Sequence, residues 1–142
     1  MKRFLAFTAF IVLPGVMPAA DPVTFVGHDK VATALAKGGG LVTAKDLIVS
    51  GSRRDKAGQV EVHEKETDVM YVIDGTATLV TGGRMTGGKQ SAPGQMIGSG
   101  IEGGETHQLT KGDVIVIPAG NPHWFKVVPS EIHYYVVKVV KQ

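Results

Sequence analysis

Short runs of β-branched residues, each ended by a glycine or proline turn, limit what this chain can fold into. Val, Ile and Thr dominate the second half, and 19 of the 142 residues are glycine. Branched side chains pack well on a pleated surface, and glycine permits tight turns between strands. Strands at this spacing predict one all-β domain, a sandwich or a barrel. A hydrophobic content of 43% is enough for a packed core.

One short helix is predicted over His28–Lys37, with Asp29 as its cap and Gly38 as the first glycine of its stop. A helix this short is marginal alone, so we expect it to lie against the strands. Asp74-Gly75 is typical of a β-hairpin. Strands are predicted over residues 45–54, 59–63, 69–73, 76–81, 114–117, 123–128 and 132–140.

Residues 82–107 are rich in glycine, and no periodicity persists through them. The pattern predicts a long loop inserted into the domain. Loops of this length are functional or mobile. Three interpretations stay open: a surface insertion, a lid over the mouth of the barrel, or an arm that docks on a second subunit.

The N-terminus has the three-part pattern of a secretory signal peptide. A basic start, Lys2-Arg3, precedes an apolar run over residues 4–17 and the small residues Ala19-Ala20. The run is shorter than the roughly 20 apolar residues of a membrane span. We predict a signal peptide over residues 1–20, a mature domain over residues 21–142, and a secreted or periplasmic protein. A retained membrane anchor is the alternative.

Charge and cysteine content exclude several classes of partner and site. Residues 1–20 hold two of the 15 basic residues and none of the 13 acidic ones, so the mature chain has a formal charge of zero. This balance gives no support for binding to nucleic acid or to an anionic membrane. The chain has no cysteine. Any metal must therefore be held by His, Asp, Glu or water.

Two histidine-bearing stretches are the candidate site. Strand alternation places Glu61 and His63 on one face. Asp68 opens the next strand, and we expect pairing across a short turn to bring it near His63. His123 follows a rigid turn much later in the chain. Two imidazoles with one or two carboxylates suit iron, manganese or zinc. The alternative is that Glu61 and His63 lie on a solvent face.

The same alternation predicts the wall of a ligand pocket. Phe125 shares the face of His123, and Met70 and Val72 share the face of Asp68. An apolar wall beside a polar group suits a small organic ligand. Arg53 and Arg54 end a strand, where a solvated position is the expected interpretation and binding of a substrate carboxylate the alternative.

The second stretch resembles the second motif of the cupin superfamily. That motif runs Gly, five residues, Pro, one residue, Gly, two residues, His, three residues, Asn. Gly112, Pro118, Gly120 and His123 match it, and Val127 stands at the final Asn position.

The first stretch is similar to the first cupin motif, with substitutions. His63 stands at the second His and Gly75 at the closing Gly, while Asp68 replaces the motif Glu and Glu61 replaces the first His. The opening Gly is missed, because Asp55 stands there. The second motif is therefore the more specific of the two.

The resemblance implies a single antiparallel β-barrel of the jelly-roll type, often a homodimer, with a metal on three His and one Glu. The corresponding set here is Glu61, His63, Asp68 and His123. Its two carboxylates favour iron(II), manganese(II) or zinc. Glu61 is either a ligand or a catalytic base. The function implied is action on a small organic molecule through a divalent metal. A non-catalytic protein that binds a small ligand, with or without metal, is the alternative.

Overall fold

A computed structural model describes residues 20–141, and the predicted signal segment lies outside this range apart from Ala20. No helix in the described range is long and apolar enough to cross a membrane. The elements are α1 (His28–Lys37), β1 (Gly39–Thr43), β2 (Leu47–Arg54), β3 (Val60–His63), β4 (Glu66–Gly75), β5 (Ala77–Thr81), β6 (Arg84–Thr86), β7 (Lys89–Ala92), β8 (Gln95–Gly98), β9 (Gly100–Glu102), β10 (Glu105–Leu109), β11 (Val114–Ile117), β12 (His123–Val127) and β13 (Ile132–Val140).

The strands form two large antiparallel sheets. One has the order β1-β2-β13-β4-β11 and the other the order β10-β5-β12-β3-β8-β7, while β6 and β9 form a separate pair. The predicted all-β, jelly-roll fold with one short N-terminal helix is confirmed. The two sheets are packed as a sandwich, and their edge strands do not join into a closed barrel.

The core lies between the two sheets. Leu79 and Phe125 come from the six-stranded sheet, and Ile132, Tyr134 and Val72 come from the five-stranded sheet. The rings of Phe125 and Tyr134 stack with centroids 5.3 Å apart. The packed side chains hold the inner faces of the two sheets together, and the candidate site lies on these faces.

Helix α1 has the predicted bounds but not the predicted cap. Its N-cap is Gly27, which offers no side chain, whereas Asp29 lies in the first turn. Asp29 can therefore stabilise α1 only through its charge near the positive end of the helix dipole. As expected, the helix packs on the five-stranded sheet, with Ala34 buried over Gly51 of β2.

The predicted hairpin at Asp74-Gly75 is wrong. Strand β4 belongs to the five-stranded sheet and β5 to the six-stranded sheet, so the turn is a corner between sheets. Gly75 has φ +83°, and a Cβ there would lie 2.1 Å from the carbonyl oxygen of Glu131. A hairpin and a corner both need a positive φ, so the local sequence does not distinguish them.

The prediction of one long loop over residues 82–107 differs from the structure, in which the segment forms short strands. It contains β6 to β9 and begins β10. The strand β8 pairs with β3 over four residues, from Val60 opposite Gly98 to His63 opposite Gln95. Glycines in the left-handed region, such as Gly87 and Gly94, lie at the turns. Strands of three or four residues are too short to show an alternation of apolar and polar residues, and the many glycines between them interrupt the pattern further.

We expect the corner at Gly75 to depend on glycine for two reasons, whereas Gly112 needs glycine for one. Gly112 also has a positive φ, +93°, but a Cβ there would meet nothing within 4 Å. Gly112→Ala should lower the free energy of unfolding by about 1 kcal/mol through backbone strain alone. Gly75→Ala adds the clash with Glu131 and should cost about 3 kcal/mol. Urea denaturation measures both, and equal losses would contradict the corner geometry.

Candidate metal centre

Four side chains with metal-binding atoms converge between the sheets. Glu61 and His63 lie on β3, Asp68 lies on β4, and His123 lies on β12 directly opposite Glu61. The Nε2 atom of His63 is 3.6 Å from both Glu61 Oε2 and Asp68 Oδ2. The Nε2 atom of His123 is 3.9 Å from the same two oxygens. The structure thus brings together all four residues predicted as ligands.

The four side chains face inward. Asp68 is 2% exposed and His123 is 4% exposed, while the side chain of His63 is 12% exposed. The Glu61 side chain is 32% exposed but lines the same inner cavity as His63, so the two residues do not form a solvent face. The predicted proximity of Asp68 to His63 holds, but strands β3 and β4 lie in different sheets and do not pair. The turn between them crosses the sandwich, as the Gly75 corner does.

A glutamine on β8 orients the ring of His63. The Nδ1–H of His63 donates a hydrogen bond to Gln95 Oε1. The Gln95 amide nitrogen donates to Glu66 Oε1 at 3.1 Å, so the amide oxygen faces the histidine. A proton on Nδ1 leaves a lone pair on Nε2, and this lone pair points toward the two carboxylates. Metal-binding histidines are commonly held in this way.

A backbone carbonyl orients the ring of His123. The Nδ1–H of His123 donates to the carbonyl oxygen of Asn121 at 3.3 Å, which again leaves Nε2 with its lone pair. Burial lowers the pKa of His123, and this outweighs the raising effects of the Asn121 carbonyl and of Asp68. The neutral imidazole, which is the form that binds metal, is therefore favoured at neutral pH.

Each carboxylate of the centre is held by a cation through its other oxygen. The Nζ atom of Lys138 lies 2.8 Å from Asp68 Oδ1 and 2.9 Å from Glu66 Oε2. A terminal nitrogen of Arg54 lies 3.0 Å from Glu61 Oε1. In both residues the oxygen that faces the imidazoles is the one without a cation. The cations therefore stabilise the charge of both carboxylates and fix their orientation in the absence of a ligand.

The donors fit a divalent metal ion. Two overlapping groups, Glu61–His63–His123 and His63–Glu66–Asp68, have ligand atoms within 4.8 Å of one another. Two imidazoles fixed with free Nε2 atoms, together with carboxylate oxygens, suit iron(II), manganese(II) or zinc. The residues thus support the site that the sequence predicted. Glu66, which the sequence did not suggest, lies beside it and contacts Gln95 and Lys138.

A cavity of about 180 Å³ opens beside the centre. Met70 and Phe125 line it, as the sequence predicted, whereas Val72 is buried in the core behind this wall. Tyr134 also lines it, and burial raises the pKa of Tyr134 against the opposing effect of Arg54, so its hydroxyl stays protonated. The cavity therefore combines an apolar wall with a polar end.

The sequence did not indicate two residues of the site and left a third open. Lys138 was not considered, Gln95 lay in the predicted loop, and Arg54 was expected to be solvated, with binding of a substrate carboxylate as the alternative. The side chain of Arg54 is only 27% exposed, whereas Arg53 faces outward and pairs with Glu131 and Asp55. The available signal was the alternation of Lys138 with Tyr134 along β13, which places both on the inner face.

Comparison with known proteins extends these findings. The family model described as Cupin matches residues 40–139. No curated protein shows a significant sequence match to the chain.

Solved structures share the fold at low sequence identity. Protein BH2720 from Bacillus halodurans is 18% identical, with 72% of this chain and 69% of that chain covered and a TM-score of 0.53. KdgF from a Halomonas species is 16% identical, with 73% and 77% covered and a TM-score of 0.53. The Cnp3 cupin domain from Schizosaccharomyces pombe is 10% identical, with 72% and 63% covered and a TM-score of 0.53. At these identities the likeness shows the fold alone.

We expect Lys138 to be required for stability in metal-free protein. Lys138→Met leaves Asp68 buried without its cation, and breaking a buried pair in this way costs about 3 kcal/mol. Lys111→Met is the control, because Lys111 is exposed in the turn before β11. Thermal and urea unfolding with a chelator present measure both variants. Equal stability of the two would show that Lys138 does not neutralise Asp68.

Proposed function

The chain belongs to the cupin family, and on that premise we propose that it binds one divalent first-row metal ion and a small organic molecule beside it. The ligands are His63, His123, Asp68 and Glu61. The molecule occupies the cavity walled by Met70 and Phe125. The ion is iron(II), manganese(II) or zinc, since carboxylates in the donor set disfavour copper(I).

One observation carries the proposal: both histidines direct a free Nε2 at the same two carboxylate oxygens, at 3.6 and 3.9 Å. The ring orientations are imposed by Gln95 and by the Asn121 carbonyl, outside the donor set. Lys138 and Arg54 hold the other oxygens of the two carboxylates, so the two oxygens that face the imidazoles have no cation of their own. A divalent ion would bind these two oxygens and both Nε2 atoms.

The chemistry available depends on whether Glu61 binds the metal. A bound divalent ion would polarise an oxygen of the substrate or lower the pKa of a water molecule. Glu61 Oε2 is as close to His63 Nε2 as Asp68 Oδ2 is, which favours Glu61 as a ligand. Were Glu61 to remain off the metal, its carboxylate would lie at the cavity as a base.

A non-catalytic binding protein is the second candidate. The ammonium of Lys138 pairs with both Asp68 and Glu66, and Arg54 pairs with Glu61, without any metal. These two cations offset two of the three carboxylate charges in the absence of an ion, which favours a cavity that captures a small ligand with or without metal.

Metal content tests the proposed metal site. Wild-type protein incubated with iron(II), manganese(II) or zinc and then desalted should retain about one ion per chain, and His63→Ala with His123→Ala should retain almost none. Elemental analysis measures the content, and the thermal midpoint should rise only in wild type, because the ion binds the folded state alone.

Glu61→Gln and His107→Ala complete that experiment. His107 belongs to neither group of clustered ligand atoms and does not line the cavity, and its Nε2 contacts the Thr81 hydroxyl, so His107→Ala should retain metal as wild type does. Glu61→Gln should bind metal about ten-fold or more weakly if Glu61 is a ligand. Retention at full affinity would make Glu61 a base or a bystander. Wild type with no more metal than the double variant would refute the metal site.

We further propose that the protein is secreted or periplasmic, supported by the pattern of residues 1–20. The homodimer implied by the family resemblance likewise remains a prediction. Expression in a bacterial host followed by intact-mass measurement should give a mature chain that begins at Asp21, in the soluble envelope or medium fraction. Full-length chain in the membrane fraction would instead indicate a retained anchor.

A further inference from the structure

Arg54 is held at the cavity by three contacts. Its Nε–H donates to the Tyr134 hydroxyl at 3.0 Å, and its Nη2–H donates to Glu61 Oε1 at 3.0 Å. The guanidinium carbon lies 4.7 Å from the centre of the Phe125 ring. A guanidinium fixed in this way loses little further conformational entropy when it binds another group.

The guanidinium keeps donors in reserve. It carries five N–H groups, and the bonds to Tyr134 and Glu61 use two of them. Within residues 20–141, Nη1 donates to no side chain or carbonyl, and it lies beside Gly58, where an added Cβ would be 2.6 Å from it. Its planar fork matches the two oxygens of a carboxylate.

Arg54 also stands where the cavity meets the surface. It lines the inner cavity of about 180 Å³ and an outer recess of about 380 Å³. Ser50, Ser52 and Tyr134 line both spaces as well. The guanidinium therefore borders both the inner cavity that contains His63 and the outer recess.

The charge of the centre points in the same direction. Glu61, Glu66 and Asp68 carry three negative charges, while Arg54 and Lys138 carry two positive charges, and all five are joined by the contacts described. The metal-free centre thus has a formal charge of −1. A divalent ion changes this to +1, so one negative charge on the ligand completes the balance.

Resting on the proposed function for its metal, we propose that the ligand of this cavity is a small monocarboxylate whose carboxylate binds Arg54. The rest of the molecule extends toward the Nε2 atoms of His63 and His123. Liquid water occupies about 30 Å³ per molecule, so the cavity holds a ligand of roughly six non-hydrogen atoms. Acids of two or three carbons with a hydroxyl or oxo group have this size.

Calorimetric titration with lactate, glycolate and pyruvate tests this, with lactamide as the uncharged match for lactate. The titrations use mature protein, both manganese- or zinc-loaded and metal-free. At least one acid should bind the loaded protein, and lactamide should bind at least ten-fold more weakly than lactate. Arg54→Gln, loaded to the same metal content as wild type, should bind the acid at least ten-fold more weakly.

Arg53→Gln is the matched control, since Arg53 lies next in the chain and faces outward to Glu131 and Asp55. It should bind the acids as wild type does. Arg54→Lys, which keeps the charge without the fork, should bind with intermediate affinity.

The outcomes separate this inference from the metal proposal. Normal metal content with no acid bound, or with equal binding of lactate and lactamide, overturns the carboxylate site and leaves the metal site standing. Loss of metal and ligand together in Arg54→Gln also overturns it, because Arg54 would then act only by holding Glu61. Selective acid binding that depends on Arg54 in protein that takes up no metal supports the carboxylate site and refutes the metal.

Discussion

Burial of Asp68 is the constraint on which the site depends. A carboxylate that is 2% exposed is strongly unfavourable unless opposite charge lies beside it. The chain supplies Lys138 from β13, in register directly opposite Asp68 on β4. Glu66, two residues earlier on the same face, shares that ammonium and receives the Gln95 amide. One buried acid thus organises a network that reaches the ring of His63.

The alternation of residues along the strands was enough to predict which side chains of the site share a face. It placed Glu61 with His63, and Phe125 with His123, on shared faces, because a period of two survives any error in the pairing of strands. It could not say which strand pairs with which. The turn at Gly75 resembles a hairpin in sequence, and only packing against Glu131 and the start of β13 makes it a corner. The same limit explains why Asp68 lies near His63 although their strands do not pair.

The residues that hold the ligands in place were the hardest to foresee. Lys138 lies 70 residues from Asp68, and only the β13–β4 register brings them together. Gln95 lies among glycines that hide three- and four-residue strands. Arg53 and Arg54 are the last two residues of β2. Alternation predicts that one of their side chains faces inward, but it does not predict which one. Long-range register decides all three.

The pairing of β8 with β3 has a consequence for how this fold can vary. The strand β3 carries Glu61 and His63, and only one residue pair joins it to β12 on its other side, against four to β8. Deleting the glycine-rich segment over residues 82–107 would leave β3 as an exposed edge strand, which could pair with strands of other chains. The segment over residues 82–107 is therefore required by the sheet. A relative without it would need another strand to cover the edge of β3 and another side chain to orient His63.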